Sequence, residues 1–405
     1  MWDRNPTAAN SPGNAKMIGL LAIGNDTTIA LPASEVAGDT HQRQLEYASI
    51  LATYHLITKA PSKPVPRRIQ LADNFWVHPC GRWNMPQYLL TAVLTGWRIV
   101  EKHRIQVVSA QDPFLTGLVG YLIARRFRLP FSLQFAADMV DNRLWLREKR
   151  AYPMLNRLAH WLIPRANTFR VVSEQERQKL IRMGVSTNRI WNLGWITDFS
   201  RFLQADGTAL RPVLLGSSHH RIVLYVGRLA PQKDILTLLN AFALVVSRFP
   251  QTLLVLAGSG PLESALRRQV SDMRLDSHVH FAGMIPYKEI PTYFAAADVF
   301  ALSSLYEGNA RVLAEAAASA KPAVSTDVSG ARDTIVDGET GFVVPVGDFE
   351  AMAERLNALL SRPETAAQMG QQARQHILSL YNTERLLAGF RDLWETTALT
   401  RGSEQ

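Results

Sequence analysis

Val299-Phe300-Ala301-Leu302, then Ser304-Leu305-Tyr306-Glu307-Gly308-Asn309-Ala310-Arg311-Val312-Leu313-Ala314-Glu315-Ala316-Ala317-Ala318, decides how this chain folds. The first four residues are apolar and read as a short buried strand. From Asn309 onward the residues are good helix formers with an apolar stripe. Glu307 therefore falls on a strand-to-helix turn and Glu315 inside the helix. Eight residues at about 100° each come to roughly 80° beyond two full turns, so both carboxylates can border one cleft. The turn between them offers free backbone N–H groups at a helix N-terminus, a natural anion site. An acid, an anion hole and a second acid suit a ligand with hydroxyls at both ends and phosphate in the middle. A nucleotide sugar has that layout. Against this stands a purely local explanation: the macrodipole favours Glu near a helix start, and Glu is common on helix surfaces.

The same alternation of strand and helix runs outward in both directions, as a parallel α/β sheet requires. Strands are expected at 17–23, 54–58, 107–109, 131–135 and 168–172 in the first half. In the second half they are expected at 222–226, 252–257, 278–281, 299–302, 323–325 and 341–344. Helical periodicity fills the intervals, and a final helical region runs from 349 to 397. Residues 191–202 break the pattern and read as an interdomain connector. The expected organisation is a disordered tail over 1–15, an N-terminal Rossmann-like domain over 16–200 and a C-terminal one over 201–380. A last helix at about 380–398 is placed to pack back on the first domain. The two domains are expected to face each other across a cleft, with ligands at the carboxyl ends of the strands.

The composition is that of an ordinary globular chain of 405 residues, 47% hydrophobic and 20% charged. A single cysteine, Cys80, excludes an intramolecular disulfide and a cysteine-based zinc cluster within the chain. No N-terminal stretch has the apolar region of a signal peptide, and the apolar runs fall short of the roughly 20 residues a spanning helix needs. A soluble or peripheral protein of the cytoplasm is expected. The formal net charge of +9 is unevenly spread: 26 Lys and Arg against 14 Asp and Glu through residue 205, and 18 against 21 beyond it. The excess gathers at Arg125-Arg126-Phe127-Arg128 and at Arg143-Leu144-Trp145-Leu146-Arg147-Glu148-Lys149-Arg150, and continues through Arg157, Trp161 and Arg165. Basic residues interleaved with Trp and Leu suit an anionic membrane surface, although arginines also simply solvate helix faces. No nucleic-acid-binding motif accompanies the charge, so nucleic acid is not expected as a partner.

The first strand of the second half runs into Gly227-Arg228-Leu229-Ala230-Pro231-Gln232-Lys233-Asp234. Gly227 allows a ligand close to the backbone. Arg228 and Lys233 flank one turn and match the two phosphates of a nucleoside diphosphate, one by its planar fork and the other as a point charge. Gly258-Ser259-Gly260-Pro261 ends the next strand, a pattern that turns alone also explain. Phe281-Ala282-Gly283-Met284 ends another, where a nucleobase could rest.

These motifs, with Glu307 to Glu315, Asp327-Val328-Ser329-Gly330 and Asp337-Gly338-Glu339-Thr340-Gly341-Phe342-Val343-Val344-Pro345, resemble the donor domain of the retaining family 4 glycosyltransferases of GT-B fold. The likeness spans about 170 residues in the correct order. In the first half, Ala110-Gln111-Asp112-Pro113-Phe114 and Arg170-Val171-Val172-Ser173 are similar to a bacterial subgroup. The resemblance implies a retaining transfer from a UDP- or GDP-sugar to a lipid-linked or polysaccharide acceptor at the inner face of the plasma membrane, with neither a cofactor nor a metal. It implies that Arg228 and Lys233 stabilise the leaving diphosphate, that Glu315 accepts from the ribose hydroxyls, and that Glu307 faces the transferred sugar. Asn309, Ala310, Arg311 and Val312 would cap the phosphate or sugar, Gly227 and Gly258 would line the site, and Met284 would mark the base.

One departure stands out. Many members of the family it resembles place a histidine where this chain has Ala136, within Leu133-Gln134-Phe135-Ala136-Ala137-Asp138. Asp138, Gln134 and Asp112 remain as substitute polar groups, with Asp138 the catalytic candidate. Asp26, in Gly24-Asn25-Asp26, is a weaker base candidate and reads as a turn residue. Another GT-B activity, an epimerase or phosphorylase, and a catalytically degenerate nucleotide-sugar-binding protein are the competing expectations. Trp76, Trp83 and Trp97 line either a core or an acceptor surface. The histidines lack metal-ligand spacing.

Overall fold

The computed structural model describes residues 18–33, 39–81 and 84–400. The expected tail over 1–15 and Trp83 lie outside them. The chain divides into two compact units, with boundaries between Thr197 and Asp198 and again between Asn382 and Thr383.

The first unit is built on β1 (Gly19–Ile23), β2 (Thr53–Lys59), β3 (Ile69–Ala72), β4 (Phe75–Cys80), β5 (Val107–Ala110), β6 (Phe131–Phe135), β7 (Thr168–Val171) and β8 (Ile190–Asn192). Their order is β3-β4-β2-β1-β5-β6-β7-β8. Only β3 runs antiparallel, against β4. The central strands are buried from end to end, as in Gly19–Ile23 and Phe131–Phe135. Helices on both faces of a parallel sheet produce that pattern, which is why these strands read as continuous apolar runs.

Three strands were not expected. β3 and β4 form a hairpin around Asp73 and Asn74, and Pro79 within β4 argues against a strand when only the sequence is seen. Pro79 sits beyond the last residue of β4 that pairs with β3, so its missing N–H costs no bond on that side. Trp76, placed in β4, stacks on His55 with ring centroids 4.9 Å apart. The expected connector over 191–202 is also partly a strand. Trp191 lies in β8, paired with β7, and its indole N–H donates to Asp392 Oδ2 at 2.7 Å. Three residues are too few to show a period.

Asp392 belongs to the final helix, Thr383–Leu399, which packs in the first unit. Phe390 meets Tyr47 at 4.6 Å between ring centroids, and the Thr397 and Thr168 hydroxyls are 2.6 Å apart.

The second unit carries β9 (Arg221–Val226), β10 (Thr252–Ala257), β11 (Val279–Gly283), β12 (Val299–Leu302), β13 (Ala323–Thr326) and β14 (Gly341–Val344). All pairings among them are parallel, in the order β11-β10-β9-β12-β13-β14. Counting from its own first strand this is 3-2-1-4-5-6, the doubly wound order. The chain reverses its direction of travel across the sheet between β9 and β12. In open α/β sheets the ligand crevice lies at such a switch point, outside the carboxyl ends of the strands.

Candidate functional site

The loops leaving β9 and β12 are joined before any side chain is considered. Leu305 N–H donates to Gln232 O at 2.8 Å, and Ser303 Oγ donates to Lys233 O at 2.9 Å. This brings Lys233 against Glu307, 74 residues away in sequence, and their side chains form an ion pair. Ser304 Oγ donates to the same Glu307 oxygen at 2.6 Å. Glu307 is 9% exposed and Ser304 is fully buried, so the carboxylate is held in one orientation. Arg228, the other expected cation, is exposed and makes no ion pair among the described residues. The expected pair of cations is therefore divided: Lys233 is held by Glu307, while the Arg228 fork is open to an anion.

Glycines let the loops close on one another. A Cβ on Gly258 would stand 1.9 Å from Gly227 O, and one on Gly330, at φ +84°, would stand 2.9 Å from Asn309 C and O. Any side chain at either position would push the loop after β10 or β13 away from the switch point. The GxG at 258–260 is thus explained by backbone packing as well as by room for a ligand.

The helix carrying Glu315 begins two residues later than the sequence indicates, at Arg311, and runs to Ala318. Ala310 precedes it at φ 41°, a left-handed conformation that non-glycine residues avoid. Glu307 is consequently outside the helix, and a helical angle between the two glutamates has no meaning. Each carboxylate has its own surroundings. Glu315 accepts from Tyr287 Oη at 3.1 Å, Arg311 Nη2 donates to the same phenol oxygen at 3.3 Å, and Arg311 and Glu315 lie 3.8 Å apart. Between the two acids, Asn309 is 7% exposed and its Nδ2 has no hydrogen-bond partner. A buried amide donor left open costs about 1–3 kcal/mol unless something accepts from it. Arg311 and Val312 follow Asn309 as the first turn of the helix. At the outer end of β11, Met284 is 80% exposed, and the Arg267 guanidinium lies 4.2 Å from the ring centroid of Phe281.

Ser304 and Tyr287 were not foreseen; Asn309 was expected to cap the phosphate or sugar, and its side-chain amide is the donor left open. Ser304, three residues before Glu307 on a turn, was open to being read as a local cap of a carboxylate. Nothing in the sequence around Tyr287 marks it.

The candidates of the first unit fare differently. Both oxygens of Asp138 are occupied: Lys179 Nζ donates to Oδ1, and Asn142 Nδ2 donates to Oδ2 at 3.0 Å. Lys179 also donates to Val140 O at 2.9 Å and to Glu176 Oε1 at 3.1 Å. Burial pushes the Glu176 carboxyl up to about 8. Gln134 is spent on Arg170 (2.9 Å) and Ser109 (3.0 Å). Asp112 is bonded to Asn25 and to Phe114 N–H, and burial raises its pKa. Asp26 closes a turn by accepting from Thr28 N–H at 2.9 Å. Trp145, grouped in the sequence with a basic surface, turns inward between Phe114 and Tyr152 at 5.1 and 4.2 Å.

Both halves of the chain match family models. Residues 208–376 match "Glycosyl transferases group 1", and residues 48–191 match "Glycosyl transferase 4-like domain". This chain belongs to the GT4-type glycosyltransferases of GT-B fold. Among relatives of this glycosyltransferase is the GDP-mannose-dependent alpha-(1-6)-phosphatidylinositol monomannoside mannosyltransferase of Mycolicibacterium smegmatis. It is 35% identical over 181 residues, covering 43% of this chain and 47% of that enzyme, so the match spans about half of that relative's length. The sucrose-phosphate synthase structure from Thermosynechococcus elongatus has a TM-score of 0.77 at 22% identity, covering 93% of this chain and 98% of that one. Anabaena HepE in complex with UDP has a TM-score of 0.73 at 17% identity, covering 94% and 100%. At such identities these structures establish the fold alone. Among the described residues of this glycosyltransferase, no helix is long and apolar enough to cross a membrane.

Proposed function

We propose that this enzyme is a retaining glycosyltransferase that moves a sugar from a nucleoside-diphosphate donor to a lipid-linked or polysaccharide acceptor at the cytoplasmic face of the membrane. The observation that carries the proposal is the switch-point cluster: Glu307 fixed by Lys233 and Ser304, with the unpartnered Asn309 amide beside it. In this scheme the diphosphate lies between the Arg228 fork and Lys233, and Glu315 takes the ribose hydroxyls. Lys233 then touches both the leaving diphosphate and Glu307, so charge leaving with the diphosphate is balanced beside the carboxylate that faces the sugar. The bond from the anomeric carbon to the diphosphate oxygen breaks, the acceptor oxygen bonds to that carbon from the same face, and its proton passes to the leaving phosphate. Asp138, tied to Lys179, is not assigned a role in proton transfer.

A donor of this class is supported by the UDP complex of HepE and by the GDP-mannose dependence of the mycobacterial relative. Contact with an anionic membrane rests on half-exposed apolar side chains among arginines: Leu122 and Leu144 are 41% and 42% exposed, Met154 66%, and Trp161 41% with the Arg165 guanidinium 4.0 Å over its ring.

A thermal-shift screen of UDP, GDP, ADP and their sugars on the full chain tests the donor assignment, since a ligand bound only by the folded state raises apparent stability by mass action. One nucleotide family should shift the melt and its sugar should be slowly hydrolysed. Stabilisation without any turnover on a broad acceptor panel would leave a binding protein instead. Reversing charge at Arg126, Arg147 and Arg150 should weaken binding to anionic vesicles, and unchanged binding would remove the membrane from the proposal.

A further inference from the structure

The second unit has a cavity at the opposite edge of its sheet from the donor site. Its volume is about 490 Å³, and it lies where Arg221 opens β9, Val299 opens β12 and Pro322 leads into β13. Helices antiparallel to these strands end here, so their last carbonyls gather at this edge. Three cations answer them. Lys321 Nζ donates to Ala295 O at 3.0 Å, Arg211 Nη1 to Ala296 O at 2.6 Å, and Arg374 Nε to Ala318 O at 2.8 Å. Capping of helix ends therefore accounts for part of this charge, and Asp298 pairs with Arg211 at 3.0 Å.

Capping does not account for the remainder. The two terminal nitrogens of Arg374 have no protein partner among the described residues, and Arg221 contributes a second guanidinium that only stacks on Phe249 at 5.2 Å. Ser319, 5% exposed, is among the residues lining the cavity, and its Oγ is buried beside it with no hydrogen-bond partner. Four cations line the space against two carboxylates, Asp206 and Asp298. Arg374, Arg221 and the buried hydroxyl all lack an acceptor of negative charge. Leu359, Leu360 and Ala366 form an apolar wall beside them.

We propose that this cavity is a second ligand site, separate from the donor site, for a small soluble phosphomonoester. Its phosphate is held by the Arg374 and Arg221 forks, with its organic part against the apolar wall. Ser319 directly follows the helix that holds Arg311 and Glu315, so the occupant bears on the far end of that helix.

Isothermal titration of the full chain with glycerol 3-phosphate, with glycerol as the uncharged control, tests the proposal in phosphate-free buffer. Glycerol 3-phosphate should bind and glycerol should not. Arg374→Ala should weaken binding by about tenfold or more, as expected for loss of a charge-assisted fork. Arg228→Ala, which opens the donor site, should leave it within about twofold. Because Arg374 also holds a backbone carbonyl, Arg221→Gln serves as the second variant, with an expected loss of about fivefold and an unchanged melting temperature. Absence of binding at millimolar concentration overturns the site. Binding that survives both cavity substitutions, or that disappears in Arg228→Ala, also overturns it.

Discussion

Each unit reverses across its sheet beside its own first strand, and the two treat that switch point differently. In the second, β9 and β12 lead into loops that meet through Lys233 and Glu307 and leave the Arg228 fork and the Asn309 amide open. In the first, the loops after β1 and β5 meet through Asn25 and Asp112, and Gln111 Oε1 accepts from Asn25 N–H at 3.3 Å. A Cβ on Gly24 would lie 2.8 Å from that same Gln111 oxygen. One switch point ends in unsatisfied donors and a cation, and the other closes on its own side chains. The topology supplies a crevice in both units, but only the residues lining it decide whether a charged ligand is awaited. One arginine of the first unit lies deep inside it instead. Arg170 is 1% exposed, bonded to Gln134, Leu193 O and Gly194 O and packed under Trp195.

The comparison breaks most readily at Glu307. Glu307→Ala should lower kcat by about 100- to 1000-fold, the scale of losing one oriented group at a developing charge. Nucleotide affinity should hold, because Lys233 is then released to the phosphate. Single-turnover transfer of labelled sugar, with equilibrium nucleotide binding alongside, measures both. A kcat close to wild type would remove Glu307 from the chemistry.

In the first unit the large effect should fall on stability instead. Lys179→Met strands the carboxyls of Asp138 and Glu176 in a buried place, and breaking such a group typically costs about 3–5 kcal/mol. Urea unfolding should register that loss. If the variant keeps full stability but loses transfer, Asp138 and Lys179 belong to the catalytic apparatus and the contrast between the units fails.

Arg228→Ala should raise the donor KM about tenfold with little change in melting temperature, since the side chain is exposed and unpaired among the described residues. A comparable loss of stability would mean that Arg228 is structural.

The smallest effect is in pH. Burial lowers His55 to about 3 and His78 to about 4, from 6.5. A depressed histidine favours the neutral form in the folded state, so its contribution is present above about 6.5 and declines as pH falls toward 4. Glu176 works in the opposite sense. Raised from 4.5 to about 8, it contributes fully below 4.5 and its contribution is lost as pH rises through 8. Hydrogen exchange should therefore show the first unit loosening at both pH 5 and pH 9, with Glu176→Gln flattening the alkaline side. Equal loosening of the second unit would show that these groups are not responsible.

Much of this was legible because it is local. Parallel strands buried on both faces announce themselves as apolar runs, and β12 and β14 fall at the expected residues. The glycines after β9 and β10 and the acids on either side of one turn needed no tertiary knowledge to be noticed. Short or interrupted elements were lost for equally local reasons: Pro79 hides β4, and three residues are too few to declare β8. The shift of the helix start from Asn309 to Arg311 rests on the left-handed backbone of Ala310, which side-chain chemistry does not encode.

The sequence by itself determined which groups the chain owns and which turn each occupies: Arg228 and Lys233 after one strand, Glu307 after another, and Glu315 in the helix beyond. Only the tertiary structure decided who is paired with whom. Lys233 meets Glu307 because β12 crosses to lie beside β9, and Asp138 is paired because Lys179, 41 residues on, reaches it. The physical reason is the same in both cases. An ionisable side chain is set free or committed by the burial and the partners that long-range packing brings to it, and neither is a property of its place in the chain.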